Sequence, residues 1–390
     1  MQVLRLKRHL RHRVLQGHPW VFSNELVHVP RDAEPGALVE VQDPQGRFLG
    51  IGYFNPRSLI AVRLLSRTNQ PIDLAFFIQR IRRADDLRKR FFKEERSYRV
   101  VFSEADGLPG LIVDRYENDI VLQVTTAGME QRISTICEVL VEMLKPKTIV
   151  ARNDTAIREL EGLKLEKHVL YGKIESPTVI SKNGLEFELD LLEGQKTGFY
   201  LDQSENYLRL KDLVAGGTVL DCFCYTGGWA LHAARYGAGR VIGLDSSEKA
   251  IGWAKANARR NGLEDQCDFR KADLFDELKK QVSMSVQYDG IILDPPAFIK
   301  SKVKLKEGLQ GYREINRHAM RLIKPGGFLV TCSCSYHLDR EGFLKMLSQA
   351  AWDARRTARL LEFRAQSRDH PILLSIPETN YLKCAILMIE

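Results

Sequence analysis

The stretch that decides the fold lies in the second half of the chain, where residues 218–228 read Thr-Val-Leu-Asp-Cys-Phe-Cys-Tyr-Thr-Gly-Gly. An apolar strand over Thr218 to Cys222 leads into a turn, and the paired glycines Gly227 and Gly228 end that turn and open the next helix. Glycines at such a turn let the backbone approach a ligand closely. The stretch is typical of a strand–turn–helix unit in a doubly wound α/β sheet.

The sequence beyond residue 200 continues this strand–helix alternation. Repeated β–α units with apolar strands predict a mostly parallel, doubly wound sheet covered on both faces. Leu360 to Ala365 and Tyr381 to Ile389 have no crossover helix between them, so we expect them to pair as a hairpin. The other predicted strands are Arg240 to Asp245, Cys267 to Lys271, Tyr288 to Asp294 and Phe328 to Ser333, and the predicted helices cover about 227–236, 247–261, 273–281, 307–323 and 339–351.

Two smaller domains are predicted upstream of this one. Residues 1–70 contain short alternating segments punctuated by Gly, Pro and Asn, which indicates a small β-rich domain. Residues 71–192 are expected to form a central α+β domain that begins with a basic amphipathic helix at about 74–96, capped by Asp73. The third domain, 193–390, contains the strand–helix alternation described above.

The excess positive charge lies in the first quarter of the chain. The 390 residues include 58 Lys and Arg and 50 Asp and Glu, a net charge of +8, while residues 1–100 alone contain 19 basic and 10 acidic residues. The basic residues cluster in Arg5 to Arg13 and in Arg80 to Arg99. Such clusters are typical of a polyanion partner such as nucleic acid, and a solvated basic face without a partner is the alternative.

Composition also bounds the class of protein. No apolar run of about 18 residues is present, so we expect no membrane span, and the basic N-terminus lacks the apolar segment of a secretory signal. Seven cysteines, without the spacing of a disulfide scaffold, are typical of a reducing cytoplasm, where we expect the protein to be located.

Acidic residues follow three successive predicted strands. Asp221 and Asp245 end the first two, and Asp273 follows the third. Ligands of open α/β sheets bind beside the carboxyl ends of the strands, and acids there can bind ribose hydroxyls and an adenine amine. The turn lacks the G-x-G-x-x-G pattern of dinucleotide sites, and clustered acids would repel a pyrophosphate. They suit a cationic adenosine ligand such as S-adenosylmethionine, while helix capping is the alternative role for each acid.

The fourth strand ends in Asp294-Pro-Pro-Ala-Phe298. Two prolines fix the backbone and remove two donors, which gives a rigid loop that holds a carboxylate beside an aromatic ring. This arrangement suits a flat, hydrogen-bonding base. An ordinary proline turn is the alternative.

Two cysteines follow on the fifth strand, Cys332 and Cys334. Cys334 lies further toward the ligand edge and is the candidate nucleophile, while Cys332 is assigned as a buried inert thiol. Thiolate addition to C6 of a pyrimidine makes C5 nucleophilic enough to attack a methyl group. An unperturbed thiol is only about 3% ionised at pH 7, so this role needs positive surroundings. No second cysteine pair has zinc-ligand spacing, and we predict no metal.

Characteristic motifs are spread over essentially the full length of the chain. The N-terminal domain resembles a PUA domain in Arg13-Val-Leu-Gln-Gly-His-Pro-Trp-Val-Phe-Ser-Asn24, and the central domain contains the motif 102–114. The most specific motifs are Gln195-Lys-Thr-Gly-Phe-Tyr-Leu-Asp-Gln203, Cys224-Tyr-Thr-Gly-Gly228, Asp294-Pro-Pro-Ala-Phe298, Ser333-Cys-Ser335 and Asp369-His-Pro371. In these motifs the chain resembles the RlmI family of bacterial 23S rRNA cytosine-C5 methyltransferases.

The resemblance implies a class I, Rossmann-like methyltransferase domain, S-adenosylmethionine as methyl donor and a 23S rRNA cytosine as acceptor. In broader RNA cytosine-C5 enzymes the nucleophile lies seven residues after the double glycine of this strand, which here is Cys334. The implied partner is 23S rRNA or a precursor of the large ribosomal subunit, and a homodimer is an open alternative. The implied cofactor-binding residues are Tyr200, Asp221, Phe223, Gly227, Asp245, Ser246, Asp273, Leu274 and Asp294. The implied substrate-binding residues are Phe298, Tyr336 and His370, and phosphate contacts are expected from Arg8, Arg11, Arg13, Arg82 and Arg83.

The sequence departs from the family in two places. Ser204 and Tyr207 stand where the family commonly has arginines, and Ala297 stands where broader RNA methyltransferases have a second cysteine. The group that removes the C5 proton is therefore unassigned, with water or Asp294 as candidates. Two other functions stay open: an amine N-methyltransferase that needs no thiol, and a non-catalytic RNA-binding or ribosome-assembly protein with a retained cofactor pocket.

Overall fold

The structure, a computed structural model of the chain, describes residues 1–8, 13–194 and 196–390. It comprises two compact units. The first contains Met1–Ile180, Leu189–Leu201 and Arg368–Thr379, and the second contains Ser181–Glu188, Asp202–Ser367 and Asn380–Glu390. Three domains with boundaries near residues 70 and 192 stay a prediction.

The first unit contains two five-stranded sheets. One has the order β1-β3-β4-β5-β2 and the other β10-β9-β8-β7-β6, and both are antiparallel except for the parallel pairs β1–β3 and β8–β9. The strands are β1 (Gln2–Arg5), β2 (Trp20–Val21), β3 (Ala37–Gln42), β4 (Phe48–Phe54), β5 (Val62–Ser66), β6 (Ser97–Phe102), β7 (Leu111–Tyr116), β8 (Asp119–Val124), β9 (Thr148–Asn153) and β10 (Glu166–Gly172). The helices are α1 (Leu74–Lys89), α2 (Ala127–Glu130) and α3 (Ile133–Leu144).

Helix α1 is the basic helix expected from the sequence, but it is shorter. The Asp73 carboxylate accepts from Phe76 N, as predicted for the cap. The helix ends at Lys89 and not near 96, and the N–H groups of Phe91 and Phe92 both donate to the carbonyl oxygen of Arg88 where the helix closes. The chain then packs the Phe92 ring against Tyr98 of β6, with ring centres 6.1 Å apart.

A two-stranded sheet, β11 (Thr178–Lys182) with β12 (Leu185–Leu189), precedes the main part of the second unit. That unit is built on a seven-stranded sheet with the order β15-β14-β13-β16-β17-β19-β18. The strands are β13 (Thr218–Cys222), β14 (Arg240–Asp245), β15 (Cys267–Lys271), β16 (Tyr288–Leu293), β17 (Ile323–Ser333), β18 (Ala358–Arg364) and β19 (Lys383–Ile389). The helices are α4 (Ser204–Tyr207), α5 (Gly228–Arg235), α6 (Glu248–Arg260), α7 (Leu274–Ser283), α8 (Leu305–Leu322) and α9 (Arg340–Ala354).

This topology confirms the predicted α/β class. Strands β13 to β17 are parallel, and β19 pairs antiparallel with both β17 and β18, which confirms the expected terminal pairing. The strand order reverses between β13 and β16, so a crevice for a ligand is expected outside the carboxyl ends of these two strands. Within the described residues, none of the helices has both the length and the apolar character needed to cross a membrane.

Candidate active site

The turn after β13 has an unusual backbone. Phe223, Tyr225 and Gly227 all adopt left-handed conformations, with φ of 65°, 48° and 87°. The left-handed region costs an ordinary residue about 1 kcal/mol or more, so Phe223 and Tyr225 hold strain. At Gly228 a Cβ atom would lie 2.8 Å from the Tyr207 hydroxyl, which explains why only glycine fits there. Strain kept at the ligand edge of a sheet is typical of a functional turn.

Asp221, at the end region of β13, is fully buried. Its Oδ2 accepts from Ala230 N at 3.0 Å, while Oδ1 has no hydrogen-bond partner within the described ranges. Burial, and then the negative charge of Asp294 and Asp245, raise the pKa of Asp221 well above its usual value. A ligand with a positive group would satisfy the orphaned oxygen, which is the behaviour expected for the ammonium group of S-adenosylmethionine.

The next two acids of the predicted pocket accept hydrogen bonds from nearby backbone N–H groups, and only Asp273 is a helix cap. The Asp245 carboxylate accepts from Tyr225 N at 3.0 Å and from Ser247 N at 2.9 Å. Asp273 caps α7 by accepting from the N–H groups at 275 and 276 through a single oxygen, Oδ1. Capping and ligand binding are compatible, because a carboxylate has about four acceptor sites. Of their predicted neighbours, Ser246 is exposed and Leu274 is buried in the core.

Asp294 follows β16 and is held by two side chains that the sequence analysis missed. Its Oδ2 accepts from Gln203 Nε2 at 3.1 Å and from Trp229 Nε1 at 3.0 Å. Gln203 is the last residue of the motif 195–203, and Trp229 directly follows Gly228. These positions in or next to a motif are the signal in the sequence that could have identified them. These two hydrogen bonds fix the orientation of the carboxylate, as is expected of a group that recognises a base.

Phe298, in the same loop as Asp294, packs among aromatic rings from other elements. Its ring centre is 4.7 Å from that of Tyr312, 5.7 Å from Phe275 and 6.3 Å from Phe223. The ring is therefore positioned by its neighbours and only partly available for stacking against a base.

The two cysteines of the fifth strand lie in different surroundings. Cys332 is fully buried opposite Cys384 of β19, and burial raises its pKa well above the usual value. Cys334 lies just beyond the end of β17 and is half-buried. Tyr336, two residues further, is 54% exposed and contacts the ring of His337. Only Cys334 of the pair is accessible to a reagent or substrate.

Two predicted site residues belong to the first unit. Tyr200 lies over the ammonium group of Lys196, with 4.1 Å from Nζ to the ring centre. His370 is buried, with Nδ1 2.7 Å from Asp369 Oδ1 and its ring 5.3 Å from that of Phe102. Their roles toward cofactor and substrate stay predictions.

The predicted phosphate-binding residues also belong to the first unit. Arg8, Arg82 and Arg83 are exposed, Arg13 pairs with Glu378 at 2.7 Å, and Arg11 lies outside the described residues. Two of the basic residues in the cluster Arg80 to Arg99 are not available for phosphate contacts. Arg88 and Arg99 are buried in two-point ion pairs with Asp106 and Asp114, because α1 and β6 direct these side chains into the core.

Ser204 and Tyr207, which stand where the family commonly has arginines, are both buried. Ser204 is buried with its hydroxyl 3.2 Å from that of Ser367. The Tyr207 ring packs on His232 and on Trp229, each at 4.8 Å between ring centres. Both side chains therefore support the elements around the turn after β13.

Comparisons with known proteins identify the family and the fold. The family model of a PUA-like domain matches residues 4–67, and that of an S-adenosylmethionine-dependent methyltransferase matches residues 164–367. The chain is 37% identical over 383 residues to the ribosomal RNA large subunit methyltransferase I of Vibrio vulnificus, with 96% of each chain covered. The fold is similar to that of a Streptococcus mutans protein described as a SAM-dependent methyltransferase, with a TM-score of 0.84, 21% identity and full coverage of both chains. It is also similar to a methyltransferase solved in complex with SAH, with a TM-score of 0.86, 21% identity and the same coverage.

Proposed function

This chain belongs to the ribosomal RNA large subunit methyltransferase I family of S-adenosylmethionine-dependent methyltransferases, and from that premise we propose that it methylates C5 of a cytosine in 23S rRNA. The reaction proceeds through a transient bond between Cys334 and C6 of the base. The substrate is free rRNA or a precursor of the large subunit.

The observation that carries this proposal is the placement of Asp294 and Cys334 on one edge of the sheet. Strands β16 and β17 are parallel neighbours, with Leu293 opposite Thr331. Asp294 therefore lies level with Cys332, and Cys334 extends two residues further toward the ligand side. A fixed carboxylate beside an accessible thiol is what cytosine-C5 chemistry requires, and an N-methyltransferase needs only the carboxylate.

Three acids of the pocket suit the cofactor. Asp221 has an orphaned buried oxygen for the ammonium group, Asp245 suits the ribose hydroxyls, and Asp273 suits the adenine amine. When bound, S-adenosylmethionine supplies an electrophilic methyl group.

Each substrate-facing side chain has one task. Asp294, oriented by Gln203 and Trp229, accepts a hydrogen bond from the N4 amine of the cytosine. Phe298 packs beside the base after it leaves its stack, at a cost of a few kcal/mol. The Cys334 thiolate forms a bond to C6 and pushes the ring electrons toward C5. The C5 proton passes to water or to Asp294, the electron pair of the C5–H bond restores the C5–C6 double bond, and the C6–sulfur bond breaks with its electron pair returning to Cys334.

Trapping the covalent intermediate tests the proposal. Ribosomal RNA that contains 5-fluorocytosine cannot lose the C5 substituent, so wild-type protein should form an adduct that survives denaturing electrophoresis. Cys332→Ala is the matched control and should still form the adduct, while Cys334→Ala should not. Methyl transfer to an amine without any adduct would instead indicate N-methylation, and cofactor binding without methyl transfer would indicate a non-catalytic RNA-binding protein.

Phosphate contacts are proposed for the exposed arginines of α1. Replacement of Arg82 and Arg83 by glutamine should weaken RNA binding and reduce its dependence on salt concentration, because fewer counterions are released. An unchanged salt dependence would place the phosphate contacts elsewhere.

A further inference from the structure

Lys383 is the first residue of β19, and it lies at the carboxyl end of β17. In the antiparallel pairing of these strands it is opposite Ser333, the residue before Cys334. Only 5% of its surface is exposed. A buried lysine requires an explanation, because an ammonium group removed from water without a compensating charge costs several kcal/mol.

The hydrogen bonds of Lys383 fix its ammonium group to the turn that contains Cys334. Nζ donates to the carbonyl oxygen of Ser335 at 2.8 Å and to that of Tyr381 at 2.7 Å. Ser335 is the residue after Cys334, so the ammonium group is anchored to the backbone of the turn that contains the thiol. Lys383 makes no direct ion pair with a carboxylate in the described part of the chain.

Few charged or titratable groups face this ammonium group. Burial lowers the pKa of Lys383 to about 8, while the carboxylate of Asp339, and the Cys334 thiol when it is ionised, act to raise it. Tyr312 reaches the same turn through a 2.9 Å contact between its hydroxyl and Ser335 Oγ, and burial raises its pKa, so it stays neutral. Near pH 7 the lysine is thus mostly protonated, and the thiol of Cys334 is among the few groups able to carry a compensating negative charge.

We propose that the Lys383 ammonium group stabilises the thiolate of Cys334 and so acts as the positioning residue that activates the nucleophile. The inference rests on the proposed function, because a thiolate is needed only where Cys334 is the nucleophile. When the thiol ionises, its S–H bond breaks, the proton passes to solvent, and the electron pair stays on sulfur beside the ammonium group. The same charge stabilises the sulfur when the bond to C6 breaks and the electron pair returns to Cys334.

The test measures the rate of Cys334 alkylation by iodoacetamide against pH in the full chain without RNA, read by mass spectrometry of the Cys334 peptide. Lys383→Met removes the charge and should shift the midpoint of the profile to higher pH by about one unit, which slows alkylation at pH 7 about 10-fold. Lys383→Arg keeps the charge, and its midpoint should stay close to that of the wild type.

Matched controls separate an electrostatic effect from a structural one. Lys324→Met removes a charge at the opposite end of β17, where Lys324 pairs with Asp289 at 2.9 Å, and should leave the Cys334 profile unchanged. If the methionine variant does not fold, Lys383→Gln removes the charge while it keeps donors for the Ser335 carbonyl. A folded neutral variant with an unshifted midpoint overturns the inference.

This readout does not depend on methylation. A shifted midpoint in a neutral variant, combined with full methylation by Cys334→Ala, would refute the proposed cytosine-C5 mechanism and leave the lysine–thiolate pair intact. Loss of methylation by Lys383→Met with an unshifted midpoint would show that Lys383 has only a structural role.

Discussion

Cys332 and Cys334 are two thiols separated by one residue, the first within β17 and the second just beyond its end, and their surroundings are opposite. Cys332 is enclosed by the sheet, opposite Cys384 and near the negative charge of Asp294, and its pKa is raised well above that of a free thiol. Cys334 lies beyond the last strand residue, half-buried, in the turn that Lys383 holds. The comparison teaches that the position of a cysteine relative to the end of a strand sets how deeply its thiol is buried, and burial limits the reactivity of a thiol.

The largest expected difference between the two thiols is in catalysis. Cys334→Ala should lower the rate of rRNA methylation by about 10³-fold or more, because the nucleophile is lost, while affinity for S-adenosylmethionine should stay unchanged. Cys332→Ala should retain most of the activity. Tritium transfer from labelled cofactor measures the rate, and calorimetry measures the affinity. Equal losses in both variants would contradict the assignment.

A smaller difference is expected in chemical reactivity of the folded protein. Cys334 should react with iodoacetamide at neutral pH about 100-fold faster than Cys332, which becomes accessible only when the sheet opens. Cys137 of α3 is the other half-buried thiol within the described residues, and burial raises its pKa. A Cys137→Ser background therefore isolates the comparison. Comparable labelling of Cys332 and Cys334 in that background would count against the buried position of Cys332.

The smallest effect concerns stability, and here the order of the two thiols reverses. Cys332→Ala removes a buried sulfur atom from the core and should lower the free energy of unfolding by about 1–2 kcal/mol. Cys334→Ala should change it by less than about 0.5 kcal/mol, because its side chain is only partly buried. Chemical denaturation of both variants gives the two values, and a larger loss for Cys334 would mean that its turn has a structural role.

Much of the second unit could be predicted from the sequence. Strands β13, β14 and β15 begin and end at the predicted residues, and for the first two a glycine directly before the strand marks where it begins. Helix α1 was predicted too long, since its pattern of apolar residues continues beyond the point where Phe92 turns to pack on β6. Local periodicity does not show where a tertiary contact ends a helix.

The site was predictable where its residues lie in motifs and not where it depends on distant contacts. Asp294 and Cys334 follow predicted strands, so their shared edge could be inferred from the parallel order. Gln203, Trp229 and Lys383 act through hydrogen bonds between segments far apart in sequence, and a lysine at the start of an apolar strand reads as a solvent-exposed residue. The buried ion pairs of Arg88 and Arg99 were missed for the same reason.

The orphaned oxygen of Asp221 has a consequence for how the cofactor is acquired. With its pKa raised by burial and by neighbouring acids, this carboxyl group retains a proton to higher pH than an exposed aspartate does. In the proposed role of Asp221, the ammonium group of S-adenosylmethionine displaces that proton at a pH below the raised pKa, so uptake of the cofactor should there acidify the medium and become tighter as pH rises. Calorimetry in buffers of different ionisation enthalpy would detect the released proton, and Asp221→Asn should abolish the release. Binding of the methyl donor is then coupled to the release of one proton from Asp221.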